Sequence, residues 1–91
     1  MDDLRAALGQ RVRELRERLR LSQEQLAERA DLHWTYVSGI ERGKRNPGLN
    51  ILARLARALK VSLPALVTDL RFHGKLERRL GRPRKNIQTT K

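Results

Sequence analysis

Ser22 and Gln25 stand three residues apart at the head of the run LSQEQLAERADLHWTYVSGIERGKRNP, Leu21 to Pro47. In that S-x-x-Q pattern the serine hydroxyl and the glutamine side chain each satisfy a backbone N–H that the first turn of a helix leaves open. Leu21 and Leu26 flank the pair at the two positions of a hydrophobic staple, so a helix is fixed to begin at Ser22. Leu26, Ala27 and Ala30 then share one face while Glu24, Glu28 and Arg29 point away. The small Ala27 permits a second helix to cross close by.

That second helix is predicted from about His33 to Arg42. Val37 and Ile40, with Leu32 just before them, make its buried stripe, and Trp34, Thr35, Ser38 and Gly39 fall on the opposite surface. The outer surface carries one large aromatic and little charge, which is odd for a solvated face and reasonable for one that touches base edges. Gly43 ends the helix in the left-handed conformation, and Lys44, Arg45, Asn46 and Pro47 form a basic turn.

Three further helices supply the rest of the core. Leu8, Val12, Leu15 and Leu19 recur at helical spacing over about Asp3 to Leu19, and Ile51, Leu52, Leu55, Ala56 and Leu59 do the same for a helix starting near Gly48 to Asn50. The last follows Val61, with Ser62 as its cap, Pro64 in its first turn, and Val61 and Leu66 as a second staple. The fold class is all-α, with five helices and no need of a strand. Residues 1–70 form the folded domain; residues 71–91 are a basic extension, in which Phe72, Leu76 and Leu80 suit a short helix or a dimer contact before a disordered tail.

The chain of 91 residues has a formal net charge of +11, and the excess is uneven. Residues 1–70 hold 13 Lys/Arg against 9 Asp/Glu, whereas residues 71–91 hold 8 against 1. Such a balance suits DNA, RNA or an anionic membrane surface, and charge alone does not choose among them. Cysteine is absent, which removes disulfides and cysteine-based zinc sites, and two isolated histidines, His33 and His73, do not make a metal site. No cofactor is expected. Enzyme chemistry is not expected either: no nucleophile lies beside a His and an acid, no glycine loop cradles a phosphate, and the adjacent Asp2 and Asp3 sit at a fraying terminus. No apolar run is long enough for a membrane span, the start is unlike a signal peptide, and a domain this small is expected to lack room for a ligand pocket of several hundred Å³.

The central stretch resembles the helix-turn-helix of the phage repressor and Cro family, also called the XRE family of bacterial regulators. Ser22, Gln23, Leu26, Ala27, Val37, Ser38, Ile40, Glu41, Gly43 and Pro47 carry the match, which continues through LARLARALKVSLPAL to cover roughly residues 8–70. Asp31 and Lys60 depart from it, standing where the family usually places a left-handed glycine. The resemblance implies a compact lambda-repressor-like domain with the helix-turn-helix at helices two and three. It also implies a cytoplasmic location in a bacterium or phage, double-stranded DNA as partner, and a homodimer on a near-palindromic operator whose recognition helices lie about 34 Å apart. It further implies an ion pair between Arg16 and Glu41, against the alternative of two solvated charges.

Positions 34, 35 and 39 are the usual base readers by this likeness, and Trp34, Thr35, Ser38 and Gly39 are the expected base contacts. Trp34 suits a thymine methyl or a sugar, or else packs on protein; Thr35 offers a hydroxyl and a methyl; Gly39 allows close approach. Gln23, His33, Tyr36, Arg42, Lys44, Arg45 and Asn46 are the expected phosphate contacts. Three of these have structural alternatives: a plain helix start for Gln23, a cap for His33, a half-buried core ring for Tyr36. In the tail, LGRPRK shares its Gly-Arg-Pro centre with AT-hook motifs, so Arg82, Arg84 and Lys85 are candidates for a minor-groove arm, against a merely solubilising tail. The dimer surface is assigned to the fifth helix through exposed members of Leu63, Leu66, Val67 and Leu70. The expected function is a sequence-specific transcriptional regulator. A restriction-modification controller, an antitoxin with a protein partner and a nonspecific nucleoid-binding protein are the alternatives.

Overall fold

A computed structural model describes residues 3–68 and 70. Five helices follow one another: α1 (Asp3–Arg18), α2 (Gln23–Ala30), α3 (Trp34–Glu41), α4 (Leu49–Ala58) and α5 (Leu63–Val67), with no strand among the described residues. Helix α2 packs on α3 and α4, α1 on α3 and α5, and α4 on α5. Val12, Leu26, Val37, Ile40, Leu55 and Leu66 are the largest fully buried side chains and come from all five helices, so the apolar stripes close on a single core.

The starts of the helices follow the local chemistry. Ser22 Oγ accepts from Gln25 N at 3.0 Å while Ser22 N donates to Gln25 Oε1 at 2.8 Å, completing the capping box. Ser62 Oγ accepts from Ala65 N at 3.1 Å, and Pro64 occupies the first turn of α5 where a missing N–H costs nothing.

Helices α1 to α4 all end in the same way. A residue at positive φ (Arg20 59°, Asp31 58°, Gly43 73°, Lys60 63°) reverses the chain. The next N–H then reaches back five residues: Leu21 to Arg16 O at 3.1 Å, Leu32 to Ala27 O at 2.8 Å, Lys44 to Gly39 O at 2.8 Å and Val61 to Ala56 O at 3.0 Å. This closure satisfies helix-end carbonyls, and in three of the four cases the residue after the turn is apolar and folds back on the helix. Only one of the four positions is glycine, so Arg20, Asp31 and Lys60 each hold a conformation unfavourable to an L residue by about 1 kcal/mol. Arg20 had no sequence signal for this role.

Gly9 decides how closely α1 meets α3. A Cβ at this position would lie 2.4 Å from Ile40 O and 2.7 Å from Glu41 O, so the two helices touch through bare backbone.

The expectation that a domain this small has no room for a sizeable pocket is incorrect. A cleft of about 330 Å³ opens between the first turns of α1 (Leu4, Arg5, Leu8), the Asn46–Pro47 turn, Leu52, the last residue of α5, Val67, and Leu70 beyond it.

Candidate nucleic-acid interface

The helix-turn-helix is held from behind by a polar cluster. Arg16 of α1 donates from Nε to Glu41 Oε2 at 2.6 Å and from Nη2 to Glu41 Oε1 at 3.0 Å, a bidentate pair whose side chains are 12% and 4% exposed. The third guanidinium nitrogen, Nη1, donates to Leu21 O at 2.8 Å. Its hydrogen bond to Glu41 raises the Arg16 pKa above the ordinary guanidinium value against the opposing effect of burial, so the charge is permanent. Arg16 thus joins the end of α1, the entry to α2 and the end of α3. The ion pair is present, and the alternative of two solvated charges is not.

Gln23 adds to this cluster a contact that sequence reasoning missed. Its Nε2 donates to Glu41 Oε1 at 3.0 Å, so the first residue of α2 is tied to the last residue of α3. One amide hydrogen is committed to protein; the other and the backbone N–H at the positive end of α2 are the groups left for an anion. The signal was the polar Gln23 one residue past the cap, facing the only acidic residue of α3.

On the outside of α3, Trp34 is 47% exposed, Thr35 is exposed and Ser38 is half-buried. His33 is the N-cap: its Nδ1 accepts from Thr35 N at 3.2 Å and lies 2.8 Å from Thr35 Oγ1. The capping role foreseen for His33 is therefore filled, and the hydroxyl of Thr35 is engaged by it.

Gly39 does not lie open on this face as expected. It is buried, because the Arg45 side chain folds back over it; a Cβ on Gly39 would meet Arg45 Cγ at 2.9 Å and Nε at 3.1 Å. The same guanidinium sits 5.1 Å from the centre of the half-buried Tyr36 ring, which packs against the core. Tyr36 is part-buried, and Arg45 spans Tyr36 and Gly39. Arg42, Lys44, Arg45 and Asn46 are all exposed and continue from the C-terminal end of α3, and Leu49, the first residue of α4, follows with 68% exposure. Arg54 was not foreseen; its Nη1 donates to Asp31 O at 3.2 Å and braces the turn between α2 and α3.

Of the four residues considered for a dimer surface, Leu66 is fully buried, as its place in the Val61 staple requires, while Leu63, Val67 and Leu70 are partly exposed. Arg82, Arg84 and Lys85, with Phe72, Leu76 and Leu80, lie outside the described residues. Among the described residues no group of acidic, histidine or cysteine side chains is placed to hold a metal ion, and no helix is long and apolar enough to cross a membrane.

Two short helices set by a capping box, the second with a polar, aromatic outer face and a basic turn after it, define a helix-turn-helix DNA-binding module. A family described as Helix-turn-helix matches residues 12–66. The control protein C.SmaI of Serratia marcescens is 47% identical over 66 residues, which are 72% of this chain and 79% of that protein. The control protein C.BamHI of Bacillus amyloliquefaciens is 39% identical over 79 residues, 86% of this chain and 96% of that protein. Among solved structures, the restriction-modification controller protein C.AhdI from Aeromonas hydrophila superposes with a TM-score of 0.67 at 45% identity, covering 68% of this chain and 94% of that one. The chain belongs to the XRE-type helix-turn-helix family and is a DNA-binding transcriptional regulator.

Proposed function

We propose that this chain occupies a near-palindromic operator as a homodimer and controls restriction-modification genes. The outer face of α3 enters the major groove, with Trp34, Thr35 and Ser38 at base edges and Gly39 marking the closest approach once Arg45 has turned outward. Arg42, Lys44, Arg45, Asn46 and the free amide hydrogens of Gln23 meet phosphates. The observation that supports this most is the division of α3: its inner side is fully tied to the protein, and its outer side presents an exposed tryptophan followed by an exposed basic turn. The similarity to controller proteins over most of their length supports the choice of target genes.

In this reading residues 1–70 are the DNA-binding domain, and residues 71–91, with Arg82, Arg84 and Lys85, extend onto the minor groove. A second copy docks through Leu63, Val67 and Leu70, without Leu66. The protein acts in the cytoplasm and performs no catalysis. Weak discrimination by Trp34, Thr35 and Ser38 leaves part of the specificity to DNA shape.

The test is selection of bound duplexes from a random pool at about 150 mM salt, where specific complexes outlast nonspecific ones. A two-fold symmetric motif with half-sites about 10 base pairs apart is expected. Enrichment of no motif would replace the operator reading with nonspecific DNA coating. A motif without symmetry, bound by a protein that sediments as a monomer, would remove the dimer.

A further inference from the structure

We infer that His33 is a positioning residue that fixes the polarity of the Thr35 hydroxyl, so that Thr35 reads an amino-bearing base, adenine or cytosine, and rejects a keto-bearing one. The inference rests on the reading of α3 as the base-reading helix and specifies what one of its residues reads.

The backbone N–H of Thr35 can only donate, and it points at His33 Nδ1 from 3.2 Å. Nδ1 therefore carries a lone pair, and the ring's remaining proton resides on Nε2. Thr35 Oγ1 lies 2.8 Å from the same Nδ1. An oxygen that close to a lone pair is held there by its own hydrogen, so Oγ1–H donates to Nδ1. The imidazole nitrogen receives two hydrogens from one residue, one from the main chain and one from the side chain.

A threonine hydroxyl ordinarily serves as donor or acceptor by rotating about its C–O bond. Here the rotation is spent. On an exposed side chain at the second position of α3, Oγ1 is left with lone pairs only to offer. In the major groove an acceptor pairs with the N4 amino group of cytosine or the N6 amino group of adenine, and it repels the O6 of guanine and the O4 of thymine. A side chain usually regarded as indifferent thus becomes selective through its neighbour.

The experiment sequences duplexes selected from a random pool by the full chain and by four variants, Thr35→Val, His33→Ala, His33→Asp and Trp34→Ala. Loss of preference in Thr35→Val marks the position that Thr35 contacts. There the unaltered chain should favour A or C on the contacted strand over G or T by about tenfold, the scale of one hydrogen bond gained against one acceptor left facing another. His33→Ala frees the hydroxyl to rotate, and the preference at that one position should fall to about twofold or less while other positions keep theirs. His33→Asp supplies an acceptor-only cap, so the preference should return even as its negative charge weakens binding to every duplex.

A keto preference at the marked position would overturn the inference. So would His33→Ala weakening all sequences alike with the A/C preference intact, which is the behaviour of a cap that only supports the helix. If no motif emerges for the unaltered chain, the base-reading role of α3 falls and this inference with it. If Trp34→Ala reshapes the motif while Thr35→Val and His33→Ala leave it unchanged, only the inference falls.

Discussion

On its inner side α3 buries Val37 and Ile40 completely and commits Glu41 to Arg16 and Gln23, whereas on its outer side Trp34 stands half in solvent and Thr35 bonds only to the residue that caps its own helix. Eight residues thus serve two purposes with almost no shared atoms. The inner side is a matter of stability: apolar burial, a desolvated bidentate pair and a backbone-to-backbone crossing at Gly9. The outer side is a matter of recognition, and apart from the cap at His33 and the Arg45 side chain over Gly39 its groups carry little of the packing among the described residues. Substitutions on the two sides should therefore separate into those that melt the domain and those that change what it binds.

The largest effect should come from Glu41→Gln, which leaves Arg16 charged and nearly buried with a neutral partner. Loss of about 3–5 kcal/mol is expected, read as a fall of well over 10 °C in a thermal melt followed by circular dichroism. A shift of a degree or less would make the pair ornamental and break the comparison. Gly9→Ala should follow, at about 2–3 kcal/mol, because the added methyl collides with the carbonyls of Ile40 and Glu41, which are backbone and cannot turn aside. A neutral or stabilising result there would mean that α1 and α3 are free to part.

Lys60→Gly should act in the opposite direction by about 1 kcal/mol, since glycine takes the left-handed conformation without strain. A chemical denaturation curve moved to higher midpoint with unchanged slope is the expected sign. Replacing both Lys44 and Arg45 by Ala should lower affinity for every DNA sequence alike and reduce the slope of log affinity against log salt by about two units. Loss confined to one operator would assign these side chains to bases instead. Arg45→Ala alone has a sharper use, because it uncovers Gly39 and removes the contact with Tyr36; a changed base preference in that variant would show that the arm guards the groove-facing side of α3.

Much of the scaffold was legible because its signals are local. Ser22 with Gln25, Ser62 with Pro64 and the leucine spacing of α1 each act within about three turns of chain, and all three behave as their spacing dictates. Asp31 and Lys60 were found as left-handed positions through family likeness, but Arg20 was not, since an arginine before a leucine gives no warning of a chain reversal. Gly9 was silent for a related reason: a glycine inside a helix resembles a weak point until the helix that crosses it is known. Leu66 was legible by contrast, since its place in the Val61 staple requires burial, and it is fully buried.

The candidate interface was legible as a list of residues and illegible as an arrangement. Trp34, Thr35 and the basic turn fall on the outside as helical periodicity requires. The contacts that qualify them, Arg45 over Gly39 and Tyr36, Gln23 to Glu41 and His33 to Thr35, depend on how side chains fold back in space. The cleft beside Leu4 and Leu70 has the same character, since no single helix contains a sign of it.

The separation of the two sides of α3 is tested most directly by one paired measurement on Trp34→Ala combined with Ser38→Ala: the thermal melt and the affinity for the duplex that the unaltered chain enriches. The melt should move by less than about 5 °C, as expected for exposed and half-exposed positions, while affinity for that duplex falls at least tenfold and binding to unrelated duplex is retained. A melt depressed as far as that of Glu41→Gln, or an unchanged affinity for the enriched duplex, would contradict the account.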